Sequence, residues 1–307
     1  MGTRIDAAGN VVRSGGSRTA YGRFDDEESG LSGGQARSAL FQRLDPRRWK
    51  IAPVFLLLTA AFLGFLVMLY FVQHPILCFL CVLCAWLMSL ACHEFGHAYT
   101  AYRGGDLSVE EKGYLTLDLT KYVDPLMSIL IPTIILAIGG MALPGGAVYI
   151  QPSSLRSKSW ETFVSLAGPM ANFIYGAVTA LVFHLLHWVL PVPLGGRMVL
   201  STLALIAWFQ AMAMWFNLIP LPPLDGWGAL RPWLHEDCVF KRWERHPWHS
   251  KSMTLVCILI LFIGLSKLHF DWIVNITTEY VYLLPHEFTS GGKGLFDAAI
   301  HGGRGGF

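Results

Sequence analysis

The sequence predicts an all-α polytopic membrane protein. The expected fold is a helical bundle of about six hydrophobic segments, one of them re-entrant and carrying a short β-hairpin or strand. Three observations carry this prediction. Of 307 residues, 53% are hydrophobic and only 14% charged, where a soluble domain carries about 25% charged residues. Mean hydropathy is +0.46. Long uncharged runs recur at the length of a membrane span, about 20 residues. One of them continues into a stretch broken by paired glycines and a proline, 138–152 (GGMALPGGAVYIQP from Gly139).

Taken in order, residues 1–48 are rich in Gly, Ser and Arg and include the acidic run DDEE at 25–28. They hold too little apolar surface to fold alone and are expected as a disordered N-terminal tail. No cleavable signal peptide is expected before residue 51. The opening MGTRID departs from a myristoylation signal at Asp6. Arg43, Arg47, Arg48 and Lys50 crowd the entrance to the first apolar run, which puts the N-terminus on the cytosolic side. The uncharged segments are then 51–72, 75–92, 125–143, 162–183 and 198–224. A sixth, 252–266, extends through LHFDWIV with Lys267 snorkelling. The membrane-embedded domain is expected to occupy 49–275, with its core in 75–230, and a flexible tail 276–307 to follow. There is no internal repeat. Partners are expected in the membrane, lipid included, and not among nucleic acids.

Six cysteines are present, three of them in CFLCVLC at 78–84. CxxCxxC spacing occurs in iron–sulfur sites, which wrap the metal in loops. Within an apolar helix the same spacing is one face, and free cysteine behaves there as a small hydrophobe.

The chemistry-bearing residues begin with HEFGH at 93–97. Residues i and i+4 of a helix stand on one face, so His93 and His97 can offer two imidazoles to one metal. Glu94 lies beside that metal without having to ligate it. HExxH is the arrangement in which such a glutamate serves as general base. The alternative is a pair of interfacial histidines that only satisfy local hydrogen bonds. Ionisable groups in a membrane helix are costly, which favours function. A catalytic zinc needs a third protein ligand. Asp225 is the lone carboxylate in residues 198–235 and follows a segment broken by Pro220, Pro222 and Pro223. Gly226 beside it leaves room for close approach. From its surroundings alone, Asp225 is either that ligand or an ordinary loop residue just outside the bilayer.

HEFGH, then SLAGPMANF at 165–173, then Asn217-x-x-Pro220-x-x-x-Leu224-Asp225-Gly226 resemble, in that order, the site-2 protease family of intramembrane zinc metalloproteases. The resemblance covers roughly residues 75–230. It implies hydrolysis of peptide bonds in transmembrane protein substrates, with Zn2+ held by His93, His97 and Asp225 and Glu94 as catalytic base. It implies Asn172 and Asn217 as polar helpers near the substrate or the developing oxyanion. Trp227 departs from the small residue that many relatives place after the Asp-Gly pair, which bears on the shape of the site mouth.

Topology offers a separate test. His97 stands near the end of its helix and Asp225 just past the end of its own, so their segments must run in the same direction. An odd number of crossings must separate them, yet 125–143 and 162–183 both intervene. The first, continuing to residue 152, is therefore expected to dip in and return on one side. The distribution of Lys and Arg, among them Arg103, Lys112, Lys121, Arg156 and Lys158, places the site toward the cytosolic face. The strand-like Gly146–Ile150 is either an edge that pairs with an extended substrate or a plug in the bundle. Two other function classes compete: a zinc-binding membrane transporter or sensor, and an inactive relative that binds membrane clients. His184, His187, His246 and His249 are expected at the interface or in loops, and Asp106 and Asp124 as caps or loop residues.

Overall fold

The computed structural model describes residues 51–122, 148–189, 194–244 and 271–301, with the backbone of 4–5 and 11–12. The latter two dipeptides, β1 (Arg4–Ile5) and β2 (Val11–Val12), pair antiparallel. Among the described residues four helices are long and apolar enough to cross a membrane: α1 (Pro53–Val72), α2 (Pro75–Gly104), α3 (Lys158–Val189) and α4 (Leu194–Asn217). The chain is an integral membrane protein built as an all-α bundle.

Local chemistry sets the helix ends. Pro53 and Pro75 open α1 and α2 at the position where a missing N–H costs nothing. Between them only Gln73 and His74 make the turn, with Gln73 in the left-handed region at φ 55°. His74 caps α2 by accepting from the Ile76 N–H at 3.2 Å. Gly105, at φ 117°, ends α2 in a conformation that suits glycine. Two helices, α2 and α3, outrun the apolar segments expected for them, because polar turns extend the hydrogen-bonded ladder past the apolar stretch. α2 reaches Gly104, so His93 lies about 16 Å short of its end at 1.5 Å per residue. α4 is the exception in the other direction. It stops at Asn217, just ahead of Pro220.

α4 is the central helix, with 78% of its apolar window buried, and α1 the peripheral one, at 11%. Leu57, Val67 and Phe71 of α1 are accordingly exposed, as lipid-facing residues should be. The main core gathers Leu69, Cys78, Phe183 and the buried face of α4. Cys78, Cys81 and Cys84 are buried and free, as the small-hydrophobe reading expects.

The tail expected from residue 276 onward is not loose in the region described. Beyond the short α5 (Asp225–Leu230), a helical turn, Asp271–Ile276, and a π-helical turn, Thr277–Val281, lead to α6 (His286–His301). Phe288, Leu295 and Phe296 of α6 are buried in the main core. The reason is a face that its glycines disguise: a Cβ on Gly292 would meet the Ser201 carbonyl, so the bare backbone of α6 lies directly on α4. His184 and His187, expected at an interface, hold this segment. His184 Nε2 lies 3.1 Å from the Tyr282 carbonyl, and His187 packs edge-on against Phe288.

The expected re-entrant unit 125–152 falls largely outside the described residues, as do the sixth segment 252–266, His246, His249 and Asp124. Val148–Gln151, the described end of the expected strand, has no strand partner among the described residues. Side chains anchor it instead. The Gln151 N–H donates to Asp106 Oδ2 at 2.8 Å, and Lys112 Nζ donates to the Tyr149 carbonyl at 2.8 Å.

Candidate metal centre

His93 and His97 stand one turn apart on the inner face of α2, both buried. α2 meets α3 closely enough there that a Cβ on Gly96 would come within 2.9 Å of the Ala167 carbonyl oxygen. Across the contact, His97 Nδ1 lies 2.7 Å from the Val164 carbonyl oxygen. A carbonyl can only accept, so Nδ1 carries the hydrogen, and in the neutral ring Nε2 is then left with its lone pair for a metal. Pro169 lies inside α3 and leaves the Ser165 carbonyl without its usual i+4 donor, loosening the helix where the histidines pack. Gly168 gives them their space. A Cβ there would land on His97 Nε2 and 2.6 Å from His93 Nε2.

Asp225 reaches the same point from the other side. After α4 the chain turns back through Leu218–Leu224 and starts α5 (Asp225–Leu230). Gly226 permits the turn, since a Cβ would sit 2.6 Å from the Ile219 carbonyl oxygen. α5 is fastened to the start of α3. Thr162 Oγ1 donates to the Ala229 carbonyl at 2.9 Å, and Trp233 Nε1 donates to Thr162 Oγ1 at 2.9 Å. Trp227, the departure noted at the site mouth, is buried, and its ring meets Phe240 edge-on at 5.5 Å.

The three side chains converge. The two imidazole Nε2 atoms are 3.1 Å apart. His93 Nε2 is 3.2 Å from Asp225 Oδ2, and His97 Nε2 is 3.3 Å from Asp225 Oδ1. A tetrahedral zinc with bonds of about 2.0–2.1 Å separates its ligand atoms by about 3.3 Å, which these distances match. Asp225 Oδ2 is moreover buried, and although His93 Nε2 lies 3.2 Å away, no donor is aligned to hydrogen-bond it. A buried anionic acceptor left so is costly, and a cation satisfies it. Donor set, spacing and orphaned oxygen all fit Zn2+. This is the one such group of His, Cys, Asp or Glu among the described residues.

Glu94, next to the first histidine, is also buried. Its Oε2 accepts from the Val148 N–H at 3.2 Å, so the expected strand segment holds the carboxylate in place. Asn172 on α3 and Asn217 at the end of α4 are buried and line, with His93, a cavity of about 50 Å³ between α2, α3 and α4. The structure thus brings together His93, Glu94, His97, Asn172, Asn217 and Asp225. Sequence reasoning missed the Val164 carbonyl and the Val148 N–H, which carry no side-chain signal. It also missed Gln210, an amide in an apolar run, which lines the cavity. Asp106, expected as a cap or loop residue, is a buried loop anchor that accepts from Ser108 as well as from Gln151.

No family model matches the chain, and no solved structure does. Curated proteins do. The zinc-metalloprotease homologue Rip2 of Mycolicibacterium smegmatis is 37% identical over 209 residues, 67% of this chain and 77% of that protein. Rip2 of Mycobacterium tuberculosis is 39% identical over 190 residues, 61% of this chain and 68% of that one. YwhC of Bacillus subtilis, also named as a zinc metalloprotease, is 28% identical over 207 residues, 63% of this chain and 84% of its own. Identity at this level over this share of both chains, on top of a two-histidine, one-carboxylate centre inside a helical bundle, fixes the kinship: the chain belongs to the site-2 protease family of intramembrane zinc metalloproteases.

Proposed function

We propose that this protein is an intramembrane zinc endopeptidase that cuts transmembrane protein substrates, with His93, His97 and Asp225 holding the metal and Glu94 as general base. The convergence of three ligand atoms within hydrogen-bonding distances of one another, beside a buried glutamate, carries the reading. Zinc bound there would polarise a peptide carbonyl and acidify water to a pKa of about 7. The chain's own residues do the rest. Glu94 takes a proton from the attacking water as its oxygen joins the carbonyl carbon. It then delivers that proton to the amine nitrogen as the C–N bond breaks. The Val148 N–H keeps the carboxylate aimed during both transfers. Asn172 and Asn217, on the cavity wall with His93, are placed to donate to the oxyanion or to hold the substrate chain.

The site lies at membrane depth. Gly168 is about 15 Å inside α3, close to the 16 Å that separates His93 from the end of α2. We read that end as cytosolic, with the N-terminus on the same side, from the basic residues around it. α2 and α4 run in one direction and α3 in the other, as a shared site for His97, Val164 and Asp225 requires. Val148–Gln151, extended and held by side chains, is positioned to pair with an unwound substrate. A zinc transporter or sensor would have no use for Glu94 buried beside the ligands, nor would a relative that only binds clients.

The test is Glu94→Gln in full-length protein reconstituted with a membrane-segment substrate. Zinc content should stay as in the parent and cleavage should fall by at least 10²- to 10⁴-fold. Cleavage that persists would remove Glu94 from the chemistry.

A further inference from the structure

Gln210 is a buried amide whose side-chain oxygen no donor satisfies among the described residues. It sits on α4, is 2% exposed, and its Oε1 has no hydrogen-bond partner. The contrast with its own helix is instructive. Thr202, equally buried on α4, donates back to the Met198 carbonyl at 2.8 Å and is satisfied. A buried acceptor left without a donor costs about 1–3 kcal/mol, and an amide in a membrane helix is expected to face something that uses it. Gln210 lines the cavity that also holds His93, Asn172 and Asn217, whose other walls, apart from Ser89, are apolar, Trp86 and Phe216 among them.

The spacing says what the cavity would take. Gln210 and Asn217 are two helical turns apart, about 10.5 Å along α4. An extended chain advances about 3.3 Å per residue, so the two amides are set for main-chain groups about three residues apart. An extended peptide from a membrane segment brings what each wall lacks. It offers unpaired backbone N–H groups for the amides and apolar side chains for the aromatic lining.

We propose that Gln210 is a substrate-positioning residue, its Oε1 accepting one backbone N–H of the unwound substrate about three residues from the scissile bond. The proposal deepens the protease reading and rests on it for the identity of the ligand.

The probe is a fluorescent, Leu/Ala-rich spanning peptide of about 24 residues with a central Gly-Gly pair to unwind it. Binding is measured to full-length Glu94→Gln protein in bicelles, with and without Gln210→Met, and each backbone N–H near the centre is replaced in turn by an ester oxygen. The parent protein locates the scissile bond. Gln210→Met should weaken binding about tenfold, the order expected for one hydrogen bond, at unchanged zinc content and thermal stability. One ester position, about three residues from the scissile bond, should cost the same factor with Gln210 present and nothing with Gln210→Met. Unchanged binding in Gln210→Met, ester losses that persist there in full, or a peptide that binds neither protein would overturn the proposal. Should Gln210→Met fail to fold, Gln210→Leu replaces it. The ester scan on the Gln210 protein decides by itself, because no sensitive position would also refute it. If the parent protein binds the peptide without cutting it, the protease reading fails while the Gln210 result stands.

Discussion

Replacing Gly168 by alanine should separate the metal centre from the fold. The added Cβ would overlie His97 Nε2 and approach His93 Nε2 to 2.6 Å, where non-bonded atoms settle at about 3.5–4.0 Å. Each imidazole must therefore withdraw by about 1 Å. Disturbing ligand orientation typically weakens metal binding by about 10- to 100-fold, and a 1 Å misplacement of reacting groups costs about 100-fold in rate. The helix itself gains, since alanine is favoured over glycine by about 1 kcal/mol in a helix interior. That gain offsets part of the overpacking, which costs about 1–3 kcal/mol. The expected outcome is a protein that folds, elutes and melts close to the parent yet holds zinc at least tenfold more weakly. Zinc retention is read by elemental analysis after dialysis against graded chelator. Gly64→Ala is the control, because a Cβ there meets nothing within 4 Å. Parental zinc affinity in Gly168→Ala would show that the histidines do not rely on the space beside Gly168, and the geometry of the centre would have to be redrawn.

Other consequences are simpler to state. Asp225→Ala should lose zinc under conditions where Glu94→Gln keeps it, since only the former removes a ligand atom; equal retention by elemental analysis would count against Asp225 as ligand. Stripping the metal with chelator should abolish cleavage and added zinc restore it, read on one membrane-segment substrate. Asp106→Ala removes the buried carboxylate that receives Ser108 and Gln151. It should lower stability by about 2 kcal/mol in thermal unfolding and slow cleavage, because Val148, three residues from Gln151, aims Glu94. Gly292→Val should undock α6 from the Ser201 carbonyl and raise protease sensitivity near the C-terminus, against the expectation of a tail that was loose already.

How far the site could be read from the sequence differs by residue. His93, Glu94 and His97 were legible because helical spacing alone puts the two histidines on one face. Asp225 was legible as a candidate because a lone carboxylate beyond a proline break is conspicuous. Neither pattern says that the two meet. α6 was misread because a helix with paired glycines looks like a linker in one dimension, whereas its bare backbone is what lets it lie against α4. Gln210 passed unnoticed for a related reason. One amide in an apolar run is unremarkable until its surroundings show that no neighbour satisfies it.

The sequence by itself determined that this chain lives in a membrane, roughly where four of its spans fall, and which residue types are available for metal chemistry. Those follow from solvent preference and helical periodicity, which are local. Only the tertiary structure decided that Asp225 arrives within 3.3 Å of both histidines, that the Val164 carbonyl sets the His97 tautomer, and that Gly168 leaves the rings their room. Each of these depends on how α3 and α5 pack against α2, and contact between residues distant in the chain is settled by the packing of whole helices rather than by any one segment's preference.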